Sequence, residues 1–122
     1  MLQARAIVKI ADNTGAKIGR IFKVLGGSKR RYAQIGDLVV LSVQVAEPRK
    51  GTKKKDVVKA VVVRQRKAFR RKDGSYVRFD ENAVVIIDAK KEPVGGRIFG
   101  PIPREIAERG FQTIASLAPE IV

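Results

Sequence analysis

The chain has no cysteine, no histidine and no tryptophan, and Met1 is its only methionine. Without cysteine there is neither a disulfide framework nor a thiolate nucleophile. Without histidine the commonest general base and the usual zinc ligand are missing as well. No carboxylate motif offers an oxygen-ligand magnesium site, so no metal and no cofactor is expected. No apolar run approaches the ~18 residues of a membrane span, which excludes a helical membrane partner. The opening Met1-Leu2-Gln3-Ala4-Arg5 lacks the basic and apolar regions of a signal peptide. A cytosolic protein is expected. Gly26-Gly27-Ser28-Lys29 and Gly95-Gly96 lack the spacing of phosphate-binding loops and read as turns.

Negative charge is scarce too: 12 Asp and Glu stand against 26 Lys and Arg, a net charge of +14. The excess is concentrated. Residues 49–72 hold twelve Lys/Arg and one acid, Asp56, whereas residues 73–122 are slightly acidic. Concentrated positive charge repels itself unless a polyanion meets it, and nucleic acid gains further from counterion release. The apolar fraction of 44% is that of an ordinary globular chain rather than a basic tail.

The 122 residues suit a single domain, rich in Val and Ile and so in strands. Segment 4–10 alternates, with Ala4, Ala6, Val8 and Ile10 on one side. Segment 17–25 alternates after the turn Asp12-Asn13-Thr14-Gly15, setting Ile18, Phe22 and Val24 against Lys17 and Lys23. Segments 38–46, 57–63 and 82–88 complete a set of short strands with turns between them. This pattern predicts a mainly β fold, a small closed five-stranded barrel, because closure hides sheet edges. The barrel core is expected at about 1–63 and 80–99. Residues 64–79, turning at Asp73-Gly74, are too polar to sit in the barrel and are expected to project as a β-ribbon. Pro101, Pro103, Glu105 and Gly110 are start and stop signals for a short helix, and 111–117 suits another. Residues 100–122 thus form a short helical C-terminal part.

If Asp73-Gly74 is a two-residue turn, Phe69, Arg71, Tyr76 and Arg78 share one ribbon face and Arg70 and Lys72 the other. Each arginine of the first face then lies opposite an aromatic ring, a preformed phosphate clamp. Arg64, Arg66 and Lys67 lead into it. The loop Arg49, Lys50, Lys53, Lys54 and Lys55 is expected to track a phosphate backbone, with Gly51 allowing close approach. Lys29, Arg30 and Arg31 form a third patch beside Tyr32. The tail, neutral to acidic and apolar, is a candidate protein-binding surface. The nearest things to paired carboxylates are Asp80-Glu81 and Glu105/Glu108. Neither has a nucleophile beside it, so an enzyme acting on a small-molecule substrate is not expected. A free-standing RNA-binding barrel is the main rival. It would show a stripe of stacking aromatics, and the chain's seven are scattered.

Over nearly its whole length the chain resembles the universal large-ribosomal-subunit protein fourteen family, bacterial type. The matching stretches include Ala11-Asp12-Asn13-Thr14-Gly15-Ala16, Val24-Leu25-Gly26-Gly27-Ser28, Asp56-Val57-Val58-Lys59-Ala60-Val61-Val62-Val63-Arg64, Arg97-Ile98-Phe99-Gly100-Pro101 and Ser116-Leu117-Ala118-Pro119-Glu120. The resemblance implies a five-stranded barrel, a projecting ribbon and a non-enzymatic role as a structural constituent of the large subunit. It implies binding to large-subunit rRNA, contact with a neighbouring ribosomal protein, and bridges to small-subunit rRNA at the intersubunit face. In bacteria it also implies a ribosome-silencing factor docked on the C-terminal surface. Here that surface would include Gly96, Arg97, Phe99 and Thr113, with Gly96 and Thr113 standing where many bacterial relatives carry Thr and Lys.

Overall fold

A computed structural model describes residues 2–26, 31–48 and 55–122. Five strands close a barrel: β1 (Ile7–Ile10), β2 (Ala16–Val24), β3 (Leu38–Ala46), β4 (Val57–Arg64) and β7 (Ala83–Ile87), in the order β1-β2-β3-β4-β7. Every pairing is antiparallel except the closing one, where β1 runs parallel to β7. Lys9 and Ala11 N–H donate to the carbonyls of Asn82 and Val84 across that seam, at 3.0 and 2.9 Å. Closure leaves the barrel without an unpaired edge, as expected of so small a sheet.

Period-two alternation fills the interior. Val8 and Ile10 point in from β1, and Val39, Leu41 and Val43 from β3. In β4 and β7 the alternation disappears: Ala60 to Arg64 and Ala83 to Ile87 are buried throughout. Strands covered on both faces read as continuous apolar runs, and the second cover here is the C-terminal segment. Ile98, Ile102, Ile106, Phe111 and Ile114 join the same core cluster. Each such side chain contributes roughly 1.5–3 kcal/mol on burial.

The strand β2 departs from expectation. Ile21 is wholly buried and Phe22 is 50% exposed, the reverse of the simple alternation. The pairing of β2 with β3 is irregular at three places, between Ala16 and Ile18, between Ile18 and Gly19, and between Ile21 and Lys23. Each irregularity moves the phase by one residue and so exchanges the two faces.

Outside the barrel, β5 (Phe69–Arg70) and β6 (Tyr76–Val77) form a separate two-stranded ribbon. In the tail, β8 (Pro101–Ile102) pairs parallel with β9 (Glu120–Ile121), enclosing α1 (Glu105–Glu108) and α2 (Gln112–Leu117). Residues 97–99 contribute a single bridge, Ile98 to Asp12. Asp12 is buried and fastens this corner: it accepts Thr14 Oγ1 at 2.7 Å, Thr14 N at 3.2 Å and Ile86 N at 2.9 Å. Burial nevertheless prevails over those hydrogen bonds and pushes its carboxyl above the ordinary value. Among the described residues no helix is long and apolar enough to cross a membrane.

Candidate nucleic-acid interface

The ribbon turn is one residue longer than a two-residue hairpin loop. Arg71 N donates to Ser75 O at 2.8 Å and Gly74 N donates to Arg71 O at 3.0 Å. Lys72, Asp73 and Gly74 therefore make a three-residue loop, with Gly74 in the left-handed region at φ +90°. Asp73 accepts both Ser75 N (3.0 Å) and Ser75 Oγ (2.6 Å), which holds its carboxyl below the ordinary carboxylate value. Phe69 pairs with Val77 and Arg70 with Tyr76. The expected pairing of Arg71 with Tyr76 and Phe69 with Arg78 is thus corrected by one position, and the faces regroup. Phe69, Arg71, Val77 and Phe79 are half-buried, while Arg70, Lys72, Tyr76 and Arg78 are exposed. One face seats the ribbon and the other displays cations around a tyrosine ring.

Two arginines of the cationic third are used internally. Arg64 is buried at the end of β4. Its Nη2 lies 3.5 Å from Glu81, its Nη1 reaches the Pro101 carbonyl at 3.5 Å, and Nε has no hydrogen-bond partner. Desolvation lowers its pKa from the ordinary arginine value, partly offset by Glu81. Gly100 (φ +85°) passes so close that a Cβ there would overlap the Arg64 guanidinium. Arg71 reaches α1: Nη2 donates to Glu105 Oε1 at 3.1 Å and to the Val122 carbonyl at 2.6 Å. Its Nε approaches Oε2 at 2.9 Å as an ion-pair contact without hydrogen-bond alignment. Arg104 faces Asp73 at 3.8 Å from the same side. The ribbon is therefore strapped to the tail. Of the acidic residues singled out in the sequence, Glu105 and Glu81 serve as ties, Glu81 also holding Lys9 at 2.7 Å.

The remaining cations are displayed. Arg66, Lys67, Arg70, Lys72 and Arg78 are exposed and make no ion pair among the described residues. Backbone contacts fix the bend that carries the first two: Arg66 N donates to Asn82 Oδ1 (2.9 Å), Gln65 Nε2 to Lys67 O (2.9 Å), and Phe79 N to Gln65 O (3.0 Å). Arg31 is exposed, and Lys55 is exposed at φ 72° with its N–H on the Val43 carbonyl. The expected contacts Lys29, Arg30, Arg49, Lys50, Lys53 and Lys54 lie outside the described residues.

A group absent from the sequence-derived contact residues lies on the barrel's outer wall. Val40 pairs with Lys23 on one side and Lys59 on the other, and Arg20 pairs with Ser42. All three cations are exposed. The usable signal was their alternation with buried residues, which β2's irregular register scrambles.

Between ribbon and α1 runs a cleft of about 570 Å³. Ile35, Ala68 and Phe69 give it apolar surface, Lys67, Arg70 and Lys72 line it on the ribbon side, and Glu105, Glu108 and Arg109 line it on the helix side. Arg109 donates to buried Asp37 at 3.1 Å, holding α1 against the 34–37 loop.

In the tail, the Arg97 guanidinium stands 5.8 Å from the Phe99 ring centroid, a cation–π arrangement. Arg97 N donates to Asn13 Oδ1 at 3.2 Å. Gly96, Arg97 and Phe99 are exposed neighbours on this surface. Thr113 is exposed on α2, where its carbonyl accepts Ser116 Oγ at 2.7 Å.

The outer wall, bend and ribbon thus display cations that make no ion pair among the described residues. A family model described as ribosomal protein L14p/L23e matches residues 1–122. The chain belongs to that family: it is a structural protein of the large ribosomal subunit, and its place is the cytoplasmic ribosome.

Proposed function

We propose that the protein binds large-subunit rRNA chiefly through Arg66, Lys67, Arg70, Lys72 and Arg78, with Arg20, Lys23, Arg31, Lys55 and Lys59 extending the contact over the barrel wall. The observation that carries this reading is a row of exposed cations, making no ion pair among the described residues, on a bend and ribbon held by hydrogen bonds to their backbone and by the Arg71–Glu105 tie. A backbone fixed in advance leaves only side-chain freedom to be lost when these cations meet phosphates, and arginine forks suit phosphate oxygens. Recognition then follows RNA shape and phosphate spacing more than base edges. The basic segments 29–30 and 49–54 belong to the same proposal by charge. Arg64 and Arg71 hold the frame and leave the phosphates to their neighbours.

The same reading places the protein at the intersubunit face, bridging to small-subunit rRNA. It assigns the tail surface with Gly96, Arg97, Phe99 and Thr113 to a protein partner, a neighbouring ribosomal protein or a ribosome-silencing factor. The cation–π pair of Arg97 and Phe99 offers an apolar ring with a charged rim, a common composition for such contacts. The test is RNA binding across a salt series. A large-subunit rRNA fragment should lose affinity linearly in log salt, with a slope near 0.7–0.9 per phosphate contact. A flat salt response in the intact chain would end the proposal. For the tail, Arg97→Ala should weaken partner binding and leave the rRNA slope unchanged.

A further inference from the structure

We propose that the cleft between the ribbon and α1 receives one unpaired RNA nucleotide, its base against Phe69 and Ile35 and its phosphate on the ribbon cations. This rests on the rRNA-binding reading and goes further: it names a pocket and the RNA feature that fills it. The volume, about 570 Å³, lies within the range of small-ligand pockets. Its apolar part is offered by exposed Ala68 and by Phe69, which is packed against the core while remaining half-exposed, over a floor at buried Ile35. A ring fixed in this way is a stacking platform, the device by which proteins hold splayed bases.

Charge selects the occupant. Lys67, Arg70 and Lys72 line the ribbon side and make no ion pair among the described residues. On the helix side Glu105 is neutralised by Arg71, and Arg109 adds a cation shared with Asp37. Of the two helix-side carboxylates Glu108 is the exposed one, and it pushes an anion from α1 towards the ribbon. An apolar floor beside one cationic wall fits a base with its phosphate. It fits a continuous duplex poorly, since paired bases cannot enter. Gln34, exposed on the rim, supplies an amide that can donate to and accept from a base edge.

The test uses the full chain and two RNA hairpins of identical stem, one continuous and one carrying a single bulged nucleotide, the bulge made in turn A, C, G and U. The intact protein should bind at least one bulged stem about tenfold more tightly than the continuous one, a difference of about 1.4 kcal/mol. Ala68→Trp, which fills the cleft from an exposed position, should erase that preference and keep the continuous-stem affinity. Phe69→Leu, which keeps apolar packing without the ring, should reduce the preference, and it serves if the tryptophan variant does not fold. Equal affinity for both stems would overturn the pocket and leave the rRNA reading standing. Binding to neither stem would overturn both. Adenosine monophosphate competing as strongly as bulged RNA would assign the cleft to a free nucleotide and overturn the RNA occupant.

Discussion

Arg70 and Arg71 are adjacent, equally charged and predicted to fail in opposite ways when replaced. Arg71→Ala removes the contacts to both Glu105 oxygens and the hydrogen bond to the Val122 carbonyl. An exposed ion pair is worth about 0.2–1 kcal/mol, and deleting one partner of a fully buried pair costs about 3–5 kcal/mol. With side chains 11% and 24% exposed, this pair lies between those limits. The extra charge-assisted bond to a carbonyl raises it within that range. The expected loss is about 2 kcal/mol, a fall in melting temperature of about 8 °C for a domain of this size. The salt slope of rRNA binding, measured well below the melting temperature, should barely move. Arg70→Ala should do the converse: melting unchanged within about 0.5 kcal/mol, and the slope shallower by about 0.7–0.9. A double-mutant cycle with Glu105→Gln isolates the pair, with about 1 kcal/mol of coupling expected. If Arg71→Ala melts like the wild type and loses a full phosphate contact, the division between structural and RNA-facing arginines is wrong.

Val61→Asp should prevent folding, because it places an unpaired carboxylate at a position with no solvent exposure, at a cost of several kcal/mol; an unchanged near-native melt would refute the core assignment. Gly100→Ala should destabilise by about 2 kcal/mol or more, since φ +85° strains any side chain and the new Cβ meets Arg64. Urea denaturation reads it, and a loss under about 0.5 kcal/mol would contradict that packing. Asp12 gives a pH signature. Its folded pKa is raised above 3.8, so between that value and its own pKa the native state binds more protons than the unfolded chain. Stability then falls as pH rises through this window. The difference between wild type and Asp12→Asn should therefore shift in favour of the wild type on acidification, and a difference that is flat or of opposite slope counts against it.

Sequence patterning revealed the barrel where alternation or continuous apolar runs dictate burial, as at Val39, Leu41 and Val43 or across Ala83 to Ile87. It failed at β2, because irregular pairing shifts phase without an apolar signature that marks the place. It failed at the ribbon because Asp73-Gly74 serves a two-residue or a three-residue loop, and one residue decides which side chains face the protein. The cationic third was legible as a block, but its division was not. Arg64 finds Glu81, and Arg71 finds Glu105, 34 residues away. Nothing local in the sequence announces partners so distant. The cleft escaped for the same reason, since its walls come from the 34–35 loop, the ribbon and α1.

The parallel seam between β1 and β7 has a consequence for biosynthesis. The first barrel strand to leave the ribosome ends at Ile10, and its closing partner begins at Ala83. At about 5–20 residues per second, several seconds of translation separate the two. Throughout that interval β1 holds an open hydrogen-bonding edge, β4 adds a second once it is made, and the cationic stretch emerges before the sheet that must carry it has closed. The nascent chain thus carries open strand edges and concentrated positive charge before it is a finished protein, which makes early capture by a chaperone the safe course.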